Sequence, residues 1–124
     1  MEKIKVLLVE DEPTLAMIIK DTLDGNEFDI TLAANGEEGL SRYAEIKPDI
    51  IVADIMMPKM DGIAAVGRIK EIDDNARIIM CSSMGYQEKV VDAITAGAKD
   101  FIIKPYEAEK VIKSVKAVLK LDKE

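Results

Sequence analysis

Ile50-Ile51-Val52-Ala53-Asp54 is the stretch that decides the fold. Four apolar residues run without a polar interruption, between Lys47-Pro48-Asp49 on one side and a lone carboxylate on the other. The run is too short for a helix and rich in β-branched residues, so it reads as a strand. A strand with one wet face would alternate apolar and polar side chains. This one does not, so both of its faces are covered, as in the middle of a parallel sheet with helices on either side.

Working outward, Ile4–Val9 is a second apolar run, broken only by Lys5, and it stops at Glu10-Asp11-Glu12-Pro13. Pro13 suits the first turn of a helix, in which Leu15, Ile18, Ile19 and Leu23 recur at helical spacing before Gly25. Phe28–Ala33 reads as a strand. Asn35 then stands where a helix cap would, with Glu38 three residues on. That helix carries Leu40 and Tyr43 and stops before Lys47-Pro48, because a residue ahead of proline is pushed out of the helical region. Beyond the central strand, Ile55–Met60 contains Pro58 and reads as a loop. A third helix starts near Asp61-Gly62, where Asp61 would cap it, and uses Ile63, Val66 and Ile69. Gly67 inside it costs about 1 kcal/mol relative to alanine, and close packing against a strand would explain it. Arg77–Ser82 is a fourth strand, Glu88–Ala96 a fourth helix ending at Gly97, and Asp100–Ile103 a fifth strand. The last helix has Val111, Ile112, Val115, Val118 and Leu119 on one stripe, with Lys110, Lys113, Lys116 and Lys120 mostly off it. Strands alternating with helices through short links imply right-handed βαβ units, an α/β sheet of five parallel strands with five helices.

Composition narrows the chemistry. With 124 residues the chain fits one domain, 1–124. Its 17 basic and 24 acidic residues give a net charge of −7, a poor match to nucleic acid or an anionic membrane surface. There is no histidine, which removes Ser-His-Asp and Cys-His nucleophilic sites and histidine zinc sites. A single cysteine, Cys81, excludes an internal disulfide and reads as a small core residue. No apolar stretch approaches the roughly 18 residues needed to span a bilayer, and the first residues show no signal-peptide run. The expectation is a soluble, cytoplasmic protein whose chemistry uses carboxylates, hydroxyls, lysines, backbone or a metal.

In open parallel sheets ligands bind beyond the carboxyl ends of the strands. Those ends carry Glu10, Asp11 and Glu12 on the first strand, Asp54 on the third, Ser82 and Ser83 on the fourth and Lys104 on the fifth. If the first and third strands are neighbours, Glu10, Asp11 and Asp54 converge. Crowded carboxylates repel, and a divalent cation would offset that. Oxygen ligands without histidine or thiolate favour Mg2+ or Mn2+. A cation beside a lysine and a hydroxyl suits a phosphoryl group, and a carboxylate can itself be the nucleophile, giving an aspartyl phosphate. Asp54 is the candidate for that role. Glu12 reads as a helix-start acid, and from position alone Ser82 is as well read as a turn residue.

Three stretches carry a resemblance: Val6-Leu7-Leu8-Val9-Glu10-Asp11-Glu12-Pro13, Asp54-Ile55-Met56-Met57-Pro58-Lys59-Met60-Asp61-Gly62, and Ala96-Gly97-Ala98-Lys99-Asp100-Phe101-Ile102-Ile103-Lys104-Pro105. Together they resemble the signature stretches of response-regulator receiver domains over essentially the whole chain. Cys81-Ser82-Ser83-Met84-Gly85 and the stretch through Lys104 are similar to the single-domain, CheY-like chemotaxis regulators. The resemblance implies a flavodoxin-like, doubly wound sheet of order 2-1-3-4-5. It implies a signalling switch in place of a conventional enzyme, with Asp54 as phospho-acceptor and Lys104 and Ser82 acting on the phosphoryl group. It implies Mg2+ held by Asp11, Asp54, the backbone carbonyl of Met56 and, through water, Glu10. Ser82 and Phe101 would be the switch pair, and the Lys104-Pro105 bond is cis in typical receivers. The phosphoryl donor would be a sensor histidine kinase or phosphotransfer protein. A downstream protein would dock on the face of the fourth helix, fifth strand and fifth helix of a monomer.

Three positions depart from the commonest receiver pattern. Glu10 replaces an aspartate, Ser83 an alanine, and Phe101 the tyrosine of the best-known chemotaxis members, losing a phenolic hydrogen bond. Two other readings of the chain stand beside a lone receiver. One is a receiver belonging to a larger regulator with an output domain, such as a DNA-binding one. The other is a flavodoxin-like module that binds a small ligand such as a flavin.

Overall fold

The computed structural model describes residues 3–23, 28–54, 62–83, 97–104 and 108–123. In chain order these form β1 (Ile4–Val9), α1 (Pro13–Leu23), β2 (Phe28–Ala33), α2 (Gly36–Ile46), β3 (Ile50–Asp54), α3 (Gly62–Ile72), β4 (Ile78–Ser83), β5 (Asp100–Lys104) and a C-terminal helix (Ala108–Lys123). All neighbouring strands are parallel and their order is β2-β1-β3-β4-β5. The expected Glu88–Ala96 helix, the Ile55–Met60 loop, Asp61 and Pro105 lie outside the described residues. The strand ends shift slightly from the sequence reading: β3 takes in Asp54, β4 runs one residue later, and β5 takes in Lys104.

Side chains alternate between two cores, one on each face of the sheet. Val6 and Leu8 of β1, Ile50 and Val52 of β3, and Ile79 and Cys81 of β4 pack with Ile19 of α1 and Val111, Val115 and Val118 of the C-terminal helix. The intervening Leu7, Val9, Ile51, Ala53, Ile78 and Met80 pack with Tyr43 of α2 and Val66 and Ile69 of α3. The central strand is buried at all five positions. Cys81 is core, as its composition reading requires. In α1 the expected apolar stripe is narrower than the spacing implied. Ile19 and Leu23 face the core, whereas Ile18 is 57% exposed, because it lies one residue, about 100°, round the helix from Ile19.

The helix ends follow local chemistry. Asn35 is extended and its side-chain oxygen accepts the Glu38 N–H at 2.9 Å, the cap expected for α2. The same helix closes at Lys47, whose N–H donates to the Tyr43 carbonyl from a left-handed backbone (φ 47°) just ahead of Pro48.

Among the described residues, the helix glycine that comes up against a strand is not the one the sequence singled out. A Cβ at Gly67 would meet nothing within 4 Å, so no strand presses on it. At Gly39, a Cβ would lie 3.1 Å from Val9 Cγ2, so this is where α2 comes down on β1. Gly67→Ala is therefore expected to stabilise the protein by about 1 kcal/mol, and Gly39→Ala to destabilise it. Urea unfolding of both variants checks the pair, and equal effects of either sign would contradict the assignment.

One polar contact ties α2 to the turn after α3. The Tyr43 hydroxyl donates to the Asp73 carboxylate at 2.6 Å, and Asp73 also accepts the Asn75 N–H at 3.0 Å. Asp73 is held below the usual carboxylate range, first by the Tyr43 hydrogen bond, then by the Asn75 N–H, with Lys70 and Arg77 adding to it. Tyr43 is pushed upward, first by burial and then by Asp73. The Asp73 contribution to stability is thus complete above the unfolded carboxylate pKa of roughly 4 and is lost as pH falls through the lower folded value. The Tyr43 contribution is complete below roughly pH 10 and is lost as pH rises beyond that. Tyr43→Phe is expected to lower stability at neutral pH and to flatten both limbs. Thermal melts from pH 2 to pH 11 check this; limbs as steep as in the wild type would rule it out.

Candidate functional site

The register of the sheet builds the site. Val9 of β1 lies opposite Ala53 of β3. Partners in a parallel ladder share a face, so the next residues, Glu10 and Asp54, leave their strands side by side. The Glu10 N–H donates to the Ala33 carbonyl at 3.0 Å and carries the β1–β2 ladder one residue past the strand. Asp54 lies opposite Cys81 of β4. Ser82 is thus one residue beyond that row, and Ser83 pairs with Lys104 at the tips of β4 and β5. The backbone brings the strand positions of Ser82 and Lys104 to the same edge as the acids. Met56 lies outside the described residues. Phe101 sits opposite Met80, half-buried against the core on the α2–α3 face.

Glu10 and Asp54 are 3% and 6% exposed, and Asp11 is exposed. Each offers a carboxylate oxygen, and the three oxygens all lie within 4.8 Å of one another. At that spacing each ionised pair repels by about 1 kcal/mol in water and about 3 kcal/mol at an effective dielectric near 20. Oxygens bound to one hard cation stand at about 2.0–2.6 Å from it, hence up to roughly 4–5 Å from each other. The observed separations fall within that span, and the donor set is oxygen alone. Glu10, Asp11 and Asp54 fit a divalent metal ion.

Glu12, by contrast, is turned away from this cluster. Its two carboxylate oxygens accept the Thr14 and Leu15 N–H groups at 3.2 and 2.9 Å, and its carbonyl accepts the Ala16 N–H at 3.0 Å. The helix-start reading of Glu12 therefore holds. The sequence did not reveal that its N–H donates to Glu10 Oε2 at 3.1 Å. Local spacing signals a cap, but a bond back to the preceding strand end depends on the tertiary turn.

The fold and the acidic cluster define a class. Residues 6–116 match the response regulator receiver domain family. The chain belongs to that family, and the flavin-binding alternative falls away. Its sequence is 48% identical to the chemotaxis protein CheY of Bacillus subtilis strain 168 over 93% of this chain and 97% of that protein. It is 44% identical to CheY of Thermotoga maritima over 94% and 98%. Among solved structures, the CheX–CheY–BeF3–Mg2+ complex from Borrelia burgdorferi matches with a TM-score of 0.85 and 39% identity, covering 92% of this chain and 87% of that one. The chain is a receiver closely similar to single-domain CheY proteins. Among the described residues no helix is long and apolar enough to cross a membrane.

A cation shared by the three carboxylates should stabilise the fold. A ligand at a hundredfold excess over its Kd adds about 2.7 kcal/mol. Thermal melts in EDTA and in saturating MgCl2 are expected to differ by several degrees for the wild type and by much less for Asp11→Asn. Identical shifts in the two proteins would place the cation elsewhere.

Proposed function

We propose that residues 1–124 form one receiver domain that stores a phosphoryl group on Asp54 and acts alone as a chemotaxis-type signalling switch. The observation that carries this reading is the cluster of Glu10, Asp11 and Asp54 at adjacent strand ends. Identity of 48% and 44% over nearly the full length of two CheY proteins supports the chemotaxis-type role.

On this reading an Asp54 oxygen attacks the phosphorus of a phosphohistidine on a sensor kinase or phosphotransfer protein. An oxygen–phosphorus bond forms, the phosphorus–nitrogen bond breaks, and the leaving imidazole nitrogen keeps the electron pair and is protonated. Asp11, Asp54, the Met56 carbonyl and, through water, Glu10 would hold Mg2+, with Mn2+ as a substitute. When bound, that ion neutralises charge on the transferring group. The family resemblance, the BeF3–Mg2+ complex of the Borrelia relative and the all-oxygen cluster support Mg2+. Lys104 and Ser82 would each meet a phosphoryl oxygen. Water later cleaves the acyl phosphate slowly, returning the Asp54 carboxylate and inorganic phosphate. The domain thus assists its own phosphoryl transfer without being a conventional enzyme.

Ser82 and Phe101 would relay the phosphorylated state to the face of the predicted Glu88–Ala96 helix, β5 and the C-terminal helix, where a downstream protein docks. The domain would work as a cytoplasmic monomer, without contacting nucleic acid itself or entering a membrane.

Incubation with acetyl phosphate and Mg2+ is expected to add one phosphoryl group to the wild type, seen by intact-mass spectrometry. Asp54→Ala should gain none, and omission of Mg2+ should suppress the reaction. A wild-type level of labelling in Asp54→Ala would overturn the assignment.

A further inference from the structure

We infer that Glu12 is a positioning residue for cation binding, holding Glu10 and Asp11 in place without itself being a ligand. The inference rests on the proposed cation site. It draws on four hydrogen bonds that converge on one residue. Pro13 occupies the first position of α1 and has no N–H, so ahead of the first helical bond only the Thr14 and Leu15 N–H groups of the helix are left to satisfy. Glu12 takes both on its carboxylate, and its carbonyl accepts the first helical bond, from Ala16 N–H. Its remaining polar group, the N–H, donates to Glu10 Oε2 at 3.1 Å. Every polar group of Glu12 therefore has a partner, and these bonds restrain its backbone.

That rigidity reaches the cluster on both sides. Glu10 is anchored behind by its N–H to Ala33 and in front, at its carboxylate, by Glu12. Asp11 lies between these two anchored residues and is itself exposed. An exposed side chain meets a cation at low cost only if its backbone already aims it, because ordering a free residue opposes binding. Glu12 supplies that aim by tying the chain to the start of α1. Its own carboxylate, occupied by helix amides, contributes charge near the site but no ligand atom.

Capping and charge can be separated at this position. Asparagine is a good helix cap without a charge, aspartate a cap with one, and alanine neither. Titration with MgCl2 followed by isothermal calorimetry, at a temperature where circular dichroism shows each variant folded, reads the cation affinity directly. Glu12→Ala is expected to weaken Mg2+ binding about tenfold, the low end for loss of an outer-shell partner, while Glu12→Asp and Glu12→Asn recover most of the affinity. A Glu12→Ala protein that melts earlier but binds Mg2+ as tightly as the wild type would make Glu12 a purely structural cap and overturn the inference. Equal weakening in Glu12→Asn and Glu12→Ala would assign the effect to charge, and overturn it too. Failure of the underlying cation site looks different: the wild type would then show no Mg2+ binding sensitive to Asp11→Asn.

Discussion

The β1–β3 ladder sets Val9 against Ala53, and with that pairing two carboxylates are forced to emerge together. Neither can retreat. β1 lies between β2 and β3, β3 lies between β1 and β4, and β3 is buried along its whole length between two cores. A slip of one residue would exchange every core side chain of the strand with the opposite face, moving Ile50 and Val52 into the α2–α3 layer and Ala53 out of it. The hydrophobic pattern that fixes the register thus also fixes the repulsion at its end. Core packing and the acidic site are two consequences of one alignment.

Much of this was readable in the residues. Ile50–Ala53 announced a strand covered on both faces, and its neighbours followed from short apolar runs punctuated by proline, glycine and asparagine caps. The convergence of Glu10, Asp11 and Asp54 needed one further assumption, that the first and third strands are adjacent, and the sheet order meets it. What could not be read was any feature set by distance between elements. Gly67 drew attention because glycine is costly in a helix, yet the close approach of a helix to a strand falls at Gly39, which nothing in its local sequence distinguishes. Ile18 fits helical spacing as well as Ile19 does, and only the angle at which α1 meets the sheet sends one inward and the other out.

Glu12 shows the same limit from the functional side. The residues marked Glu12 as the helix-start acid of the run of three, but not its bond back to Glu10. The three part company through their hydrogen bonds. Glu10 ends a strand and is buried, Asp11 turns the chain and is exposed, and Glu12 begins a helix and is consumed by its amides. Pro13 sharpens the division, since by lacking an N–H it reduces the first turn to a set that one residue can satisfy.

The same charges that invite a cation also gate the chemistry proposed for Asp54. A phosphoryl group on Asp54 would replace the single carboxylate charge with about two on the phosphoryl oxygens at neutral pH, a net gain of about one negative charge beside Glu10 and Asp11, whose oxygens stand within 4.8 Å of an Asp54 oxygen. Without a cation the product would be held against the repulsion that the register imposes, since β1 and β3 are paired with each other and buried in the sheet. A cation held by Glu10 and Asp11 would set a positive centre against the added charge. On the proposed reading, the phosphorylated form would be disfavoured in the absence of the metal. If Asp54 is the acceptor, Glu10 and Asp11 would make the transfer, and not only cation binding, depend on the ion.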